Sequence, residues 1–153
     1  MSIQKLTATA KESRKTILDL CYRSQTGHIG PALSVIDILT VLYFGVLRVS
    51  PKTKHQPNRD RFILSKGHAA AALYATLYAR GFIPRESVFT YCRDGGLLGT
   101  HPDYNLNFGI ELTTGSLGHG LPVGVGMALG LGSRARPDSI GARVFVLVSD
   151  AEL

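Results

Sequence analysis

Four of the five histidines lie in short segments that also contain glycine or proline, and these segments limit where regular structure can form. They are residues 27–30, 66–69, 99–102 and 117–120. Glycine beside histidine permits unusual backbone angles and a close approach to a ligand. Imidazole can donate, accept or shuttle a proton near neutral pH. The pattern therefore predicts a polar active site that is assembled from loops.

Composition places the chain among globular proteins. Its 153 residues are enough for one domain but too few for two ordinary ones. Hydrophobic content of 44% and charged content of 18% show no sign of disorder. The net charge of +6 is not arranged as a basic block with interleaved aromatic residues, which argues against nucleic acid binding. A basic balance suits anionic small molecules such as phosphate esters.

Neither the cysteines nor the apolar segments indicate metal binding, redox chemistry, secretion or insertion into a membrane. Cys21 and Cys92 are isolated, so they predict neither a zinc site nor a redox pair. The charged N-terminal segment is unlike a signal peptide. Residues 112–133 lack acidic and basic side chains, but their glycines, His119 and Pro122 make a poor membrane span. We expect a cytoplasmic protein with no membrane partner.

Periodicity predicts alternating helices and strands. Helices are predicted over residues 7–24, 35–46, 69–80, 84–93 and 122–134. Gly30 and Pro31 should interrupt the chain after the first helix, and Ser34 should cap the second. Strands are predicted over residues 61–65 and 144–148. The irregular segment 94–114 is too long to be a simple connection, so a functional role is expected.

The second strand and the last helix favour an α/β fold. Residues 144–148 form a continuous apolar run, which is typical of an interior parallel strand. Asp150 follows at its carboxyl end, where open α/β sheets bind ligands. The last helix contains four glycines that each cost roughly 1 kcal/mol against alanine, so something must pack close to it. We predict one domain, residues 1–153, with a parallel sheet and helices on both faces.

Two motifs allow a functional and a structural interpretation. Asp150 could cap a following helix or bind a metal or a metal-bound phosphate. The segment 113–118 could cradle a phosphate at a helix N-terminus or provide close helix packing. It lacks the Gly-Lys-Ser/Thr of a P-loop, and no Gly-x-Ser-x-Gly elbow of a serine hydrolase is present. The histidine separations fit no zinc site.

Four blocks in a fixed order resemble the N-terminal part of the transketolase family, whose members use thiamine diphosphate. The blocks are TGHIG (26–30), DRFILSKGHA (60–69), LGTHP (98–102) and GIELTTGSLGHG (109–120). The resemblance runs from about Leu18 to the end of the chain. The SKGH and LGHG variants are most similar to transketolases that are split into two polypeptides. The resemblance implies the first part of a thiamine diphosphate-binding, pyrophosphate-binding domain.

The resemblance also implies roles for individual residues. His28 and His101 would face the substrate at the reacting carbons, and Asp150 would bind Mg²⁺ (or Ca²⁺). Residues implied to lie along thiamine diphosphate are His68, Gly115, Ser116, Leu117, Asp150 and Ala151. The implied reaction moves a two-carbon ketol unit from a ketose phosphate to an aldose, with the cofactor supplying the carbanion. Several imidazoles would serve the proton transfers.

Two departures from the family pattern shape the expectations. The family's Gly-Asp-Gly is Ser149-Asp150-Ala151 here, and alanine does not readily adopt a positive φ. Weakened cofactor binding is therefore expected. The family's motif also continues past residue 153 to an asparagine pair that completes the metal site. We expect a complementary polypeptide, in a homo- or hetero-oligomer, or a longer chain, because a bare apolar sheet face favours aggregation.

Two alternative functions remain open. One is a different thiamine diphosphate reaction, such as 1-deoxyxylulose-5-phosphate synthesis, although the LGTHP block favours a transketolase. The other is a non-catalytic scaffold subunit that has lost the cofactor, which the Ser149 and Ala151 departures would suit.

Overall fold

In the part of the chain that the structure describes, seven helices and strands carry the fold. The computed structural model describes residues 1–132 and 141–153. In chain order the elements are α1 (Ile3–Ser24), α2 (Ile29–Val41), β1 (Arg61–Leu64), α3 (Ala70–Ala79), α4 (Arg85–Val88), α5 (Gly120–Gly132) and β2 (Val144–Leu147). A π-helical turn, Leu42–Val46, extends α2, and 3-10 turns follow each strand at Gly67–Ala69 and Asp150–Glu152.

The two strands pair in parallel, although about eighty residues of sequence separate them. Arg61 is opposite Val144, and Leu64 is opposite Leu147. Alternate side chains point to opposite faces: Phe62 and Leu64 join the main core, whereas Ile63 lies towards α5. The predicted parallel sheet with helices on both faces is confirmed. Within the described residues, however, β2 has β1 as its one neighbour, so its interior position is not confirmed.

The main core lies between the sheet and the first three helices. Helix α1 buries one stripe, which confirms its predicted amphipathic pattern, and α2 buries a similar stripe. Helix α3 is buried along almost its whole length, because its alanines let α1 and α2 pack close on both sides. The largest fully buried side chains in this core include Tyr74, Tyr91, Ile17, Leu20, Ile36 and Leu39.

Several predicted element boundaries are wrong, each for a local reason. Helix α2 begins at Ile29 instead of residue 35, because Pro31 in a first turn has no N–H that needs an intrahelical partner. The Ser34 hydroxyl is therefore inside the helix, where it donates to Pro31 O instead of capping. The predicted helix 84–93 keeps regular geometry only at Arg85–Val88. The predicted end of the last helix, residues 133–134, lies outside the described residues.

Close packing of the glycine-rich helix α5 is confirmed for part of its length. A Cβ added at Gly124 would lie 2.4 Å from Val146 Cγ2, and one at Gly120 would lie 2.4 Å from Ser65 Oγ. These two glycines let α5 approach both strands. The expectation is wrong for Gly126 and Gly132, where an added Cβ would meet no described atom within 4 Å. Another part of the α5 surface exposes Leu121, Val125 and Leu129.

One further segment is strongly apolar. Ile29–Val46, which comprises α2 and its π-helical extension, is long and apolar enough to cross a membrane, and a third of it is buried. Core helices of globular domains meet the same criterion of length and composition. Here the buried side of α2 packs against α1 and α3.

A buried carboxylate fixes the start of both strands. The Asp60 side chain is fully buried and pairs with Arg48 and Arg143, each at 2.7 Å. It also accepts the backbone N–H groups of these two arginines. Burial alone would raise the pKa of Asp60, but the hydrogen bonds from Arg48 and Arg143 outweigh it and hold the pKa well below its usual range. Asp60 thus ties the segment after α2 to the first residue before β2.

The glycines of α5 provide a matched pair of substitutions. Gly124→Ala should lower the free energy of unfolding by about 1–3 kcal/mol, because the added methyl overlaps the branched side chain of Val146. Gly126→Ala should raise it by up to about 1 kcal/mol, since the site is open and alanine favours helix. Urea unfolding of both variants checks this. Changes of the same sign would contradict the described packing of α5.

Replacing Asp60 should make the free energy of unfolding less dependent on pH in the acidic range. Asp60→Asn should lower the free energy of unfolding at neutral pH by about 2 kcal/mol, since a charged, fully paired acceptor is lost. A carboxyl group whose pKa is lower in the folded than in the unfolded protein stabilises the fold at pH values above its unfolded pKa of about 3.9. That stabilisation is lost progressively as the pH falls below about 3.9. The gap between wild type and variant should therefore be constant from about pH 7 to 5 and shrink below about pH 4.

The exposed pair Arg14–Asp37 provides the control. Asp37→Asn should change the free energy of unfolding by less than about 0.5 kcal/mol. An Asp60→Asn gap that persists unchanged in acid would contradict the ion-pair assignment.

Candidate active site

The loop of residues 114–120 leads into α5 beside the end of β1. It is anchored on both sides of an exposed stretch. At one side the Thr114 hydroxyl donates to Leu64 O at 2.7 Å and is buried. At the other side Gly120 N donates to Ser65 Oγ at 3.1 Å. The residues between these anchors include the exposed Gly115, Ser116 and Leu117. These three predicted residues therefore present their backbone to solvent at the carboxyl ends of the strands, where ligands bind in such sheets.

Gly67 brings the loop close to the end of β1. A Cβ at this position would lie 2.6 Å from Thr114 O, so only glycine lets the two backbones approach this closely. The segment that leads into the loop is held by Glu111, which forms a bidentate ion pair with the nearly buried Arg59. Strand, turn and loop thus form one connected unit.

Three of the four predicted histidines come together beside this loop. The ring centroids of His28 and His68 are 5.8 Å apart, and those of His28 and His101 are 5.7 Å apart. A Cβ on Gly115 would lie 3.6 Å from the His101 ring. The contacts described for this cluster do not include His119, which is exposed at the start of α5. Three of the four histidines thus lie together, as the loop pattern predicted, whereas their role in an active site stays a prediction.

Each histidine of the cluster is positioned by a different structural element. His28 caps α2 with a left-handed backbone conformation, φ 55°. His68 is the middle residue of the 3-10 turn that follows β1. The backbone carbonyl of His101 accepts a hydrogen bond from the buried Tyr74 hydroxyl at 2.9 Å, which links its loop to α3. The three imidazoles are therefore held by three separate elements.

The environment of His68 favours the neutral imidazole. Burial lowers its pKa below the usual value, and the charge of Lys66 with the neighbouring His28 and His101 lowers it further. An anion bound nearby would offset the Lys66 charge that disfavours the protonated imidazole of His68.

Glu152, which the sequence motifs did not single out, holds the two strand ends and the loop together. Its Oε1 accepts hydrogen bonds from the Ser65 hydroxyl and from Gly118 N, the latter at 3.0 Å. Its Oε2 accepts from Ser149 N at 2.7 Å and from the Ser149 hydroxyl at 3.1 Å. The sequence did contain a signal for this residue, because Ser149 and Glu152 have the spacing of a capping box. The structure forms that capping box.

The Glu152 carboxylate is stabilised in its charged form. Burial alone would raise its pKa, but the hydrogen bonds from Ser65, Gly118 and Ser149 outweigh that effect and lower it. The residue therefore carries its negative charge at neutral pH, with both oxygens engaged by donors.

Asp150 and Ala151 lie at the carboxyl end of β2, as predicted, and both are exposed. They belong to the 3-10 turn Asp150–Glu152, in which Ser149 is the cap, so the alternative of Asp150 as the capping residue is wrong. Ala151 is not among the residues with positive φ, and alanine adopts a 3-10 conformation readily. The expectation of weakened cofactor binding stays a prediction.

The residues present fit a diphosphate better than they fit a complete metal site. Among residues 1–132 and 141–153, no group of three or more His, Cys, Asp or Glu side chains could hold a metal ion. A cation at Asp150 would therefore need further oxygen ligands, which a diphosphate could supply. The exposed backbone at residues 115–117, the open space beside Gly118 and the cationic Lys66 suit an anionic group of that kind.

Known proteins match nearly the whole chain. The family described as "Transketolase, thiamine diphosphate binding domain" matches residues 5–153 of the chain. A subunit of the apulose-4-phosphate transketolase from Phocaeicola vulgatus is 43% identical over 99% of this chain and 52% of its own length. The 6-deoxy-6-sulfo-D-fructose transketolase subunit SqwG from a Clostridium species is 39% identical over 91% of this chain and 49% of its own length. The chain thus spans about half the length of these curated relatives.

Solved structures agree with the sequence matches. The transketolase of Campylobacter jejuni superposes with a TM-score of 0.88 at 30% identity, over 99% of this chain and 24% of that protein. The fold and the family match therefore agree: the chain belongs to the transketolase family, in the region that forms its thiamine diphosphate binding domain.

Proposed function

We propose that this chain is the diphosphate-binding part of a transketolase-like transferase, which moves a two-carbon ketol unit from a ketose phosphate to an aldose. The observation that carries the proposal is the histidine cluster beside the open loop. The His28 ring lies 5.8 Å from the His68 ring and 5.7 Å from the His101 ring, next to the exposed backbone of residues 115–117. Anion binding and proton transfer are thus available at the same place.

The cofactor assignments follow from the exposed surfaces at the strand ends. His68, Gly115, Ser116 and Leu117 would bind thiamine diphosphate, with Asp150 and Ala151 on the neighbouring strand end. Asp150 would provide a protein ligand to Mg²⁺ (or Ca²⁺). When bound, the cofactor supplies a stabilised carbanion that permits cleavage of the carbon–carbon bond beside a carbonyl.

The remaining histidines would act on the substrate. His28 and His101 have imidazoles that can hold a proton at a sugar hydroxyl or accept one from it as the carbon–carbon bond breaks. His28 is exposed and His101 is half-buried, so both are accessible from the open side of the site. The basic net charge of the chain, +6, would favour the approach of a sugar phosphate.

A complementary polypeptide is part of the proposal. The two curated relatives described above have names that describe them as transketolase subunits. The uncovered apolar face of α5, with Leu121, Val125 and Leu129, also favours burial against further protein. We place the assembled oligomer in the cytoplasm, acting on sugar phosphates of the pentose phosphate type.

Substitution of the two substrate-facing histidines tests the catalytic assignment. In the complex purified from the native host, His28→Ala and His101→Ala should each lower kcat for ketol transfer by about 100-fold or more, because a positioned proton-transfer group is lost. Thiamine diphosphate affinity should change little. The assay uses a ketose phosphate donor and an aldose phosphate acceptor with thiamine diphosphate and Mg²⁺.

His55, in an exposed loop, provides the matched control, and His55→Ala should retain full activity. Wild-type complex that binds no cofactor and transfers no ketol unit would favour the scaffold alternative. Condensation of pyruvate with glyceraldehyde 3-phosphate, instead of ketol transfer, would favour the synthase alternative.

The pKa of His68 should report occupancy of the diphosphate site. In the free protein its NMR titration midpoint should lie below the usual value of about 6.5, because of burial and the Lys66 charge. Lys66→Gln should raise the midpoint. Thiamine diphosphate should also raise it, since a nearby anion stabilises the imidazolium. A midpoint that is insensitive to the cofactor would place His68 away from the diphosphate.

A further inference from the structure

One carboxylate connects the exposed cofactor loop to both strand ends. Glu152 Oε1 accepts from the hydroxyl of Ser65, which follows β1, and from Gly118 N, which precedes α5. Glu152 Oε2 accepts from the backbone and side chain of Ser149, which follows β2. Gly118 comes directly after the exposed residues 115–117. The carboxylate therefore contacts the loop through its backbone, at the end of the stretch assigned to the cofactor.

We propose that Glu152 is a positioning residue for the cofactor: its carboxylate fixes the Gly118 amide and thereby the backbone of residues 115–117. The inference rests on the proposed function, because it adds to that function a residue outside the set assigned to the cofactor. Glu152 would act on thiamine diphosphate only through the loop that it holds.

The loop is also held at its two ends, and at the start of α5 Gly120 N donates to Ser65 Oγ at 3.1 Å. Thr114 is held at one end by its buried hydrogen bond to Leu64 O. Gly118 has φ +84°, a conformation that glycine adopts readily, so the chain bends there and its N–H is directed to Glu152. Of the anchors on the α5 side, the one at Gly118 is nearest to residues 115–117. If it were lost, these residues would have to be ordered when the cofactor binds, which costs conformational entropy.

The geometry requires a carboxylate rather than an amide. Each Glu152 oxygen accepts one backbone N–H, that of Gly118 on one side and that of Ser149 on the other. Serine hydroxyls can rotate to accept a hydrogen bond, but a backbone N–H can only donate. Glutamine has a single side-chain oxygen, so in either orientation its NH₂ group would face one of the two backbone donors. Glu152→Gln therefore breaks one anchor with almost no change in size.

Electrostatics and positioning predict opposite effects for this substitution. Glu152→Gln removes a negative charge close to the proposed diphosphate site, so charge alone would tighten the binding of an anion. Loss of loop positioning would weaken that binding. The sign of the change in thiamine diphosphate affinity thus separates a positioning role from a charge effect.

The test combines hydrogen exchange with cofactor titration in the full-length protein as purified from its host. Glu152→Gln should raise the exchange rate of the Gly118 amide about tenfold or more, with little change at Leu77 in the buried helix α3. Calorimetric titration with thiamine diphosphate and Mg²⁺ should give a Kd about tenfold higher than that of wild type.

Two control variants separate the anchor from general effects. Glu86→Gln makes the same change of charge at an exposed position and should match wild type in both measurements. Ser149→Ala removes only the hydroxyl bond and keeps both backbone donors on Glu152, so its effect should be much smaller than that of Glu152→Gln.

Three results would overturn the inference: unchanged exchange at Gly118, exchange that rises equally at Gly118 and Leu77, or cofactor binding as tight as in wild type or tighter. Wild-type protein that fails to bind thiamine diphosphate would overturn the proposed function instead. In that case the exchange comparison alone decides whether Glu152 holds the loop, with selective acceleration at Gly118 supporting it.

Discussion

The parallel pairing of β1 with β2 is the constraint on which the candidate site depends. It brings together residues that are about eighty positions apart and fixes their register, with Arg61 opposite Val144. Both ends of this pairing are secured by buried or half-buried carboxylates. At one end Asp60 binds Arg143, and at the other Glu152 binds Ser65. Loops that leave the two strands therefore start from well-defined positions.

The same pairing explains why three positions near the strands are glycine. Gly120 and Gly124 let α5 lie against the strands, and Gly67 lets the turn after β1 lie against Thr114. In each case the added side chain of another residue would meet backbone or a neighbouring side chain. Close approach, rather than flexibility, is thus the role of these glycines. The result is a loop whose ends are fixed and whose middle is exposed to a ligand.

Sequence patterns predicted most of the elements, because their signals are local. The apolar runs of the strands and the amphipathic stripe of α1 each depend only on neighbouring residues. The start of α2 was missed because Gly30 and Pro31 usually end helices, whereas here they lie in a first turn. The clustering of His28, His68 and His101 followed from the loop pattern, but their mutual distances depend on packing that no single segment determines. Glu152 shows a different limit: its bonds to Ser65 and Gly118 join segments that are distant in sequence, and they arise only once the strands have paired.

The strand-end loops are proposed to form one part of an active site that a further polypeptide completes. Native mass spectrometry of the tagged protein, purified from its host in the presence of thiamine diphosphate and Mg²⁺, tests this most directly. We predict a complex that contains this chain, a second polypeptide or polypeptide region, and bound cofactor. Detection of the chain alone, without cofactor under these conditions, would contradict the proposal.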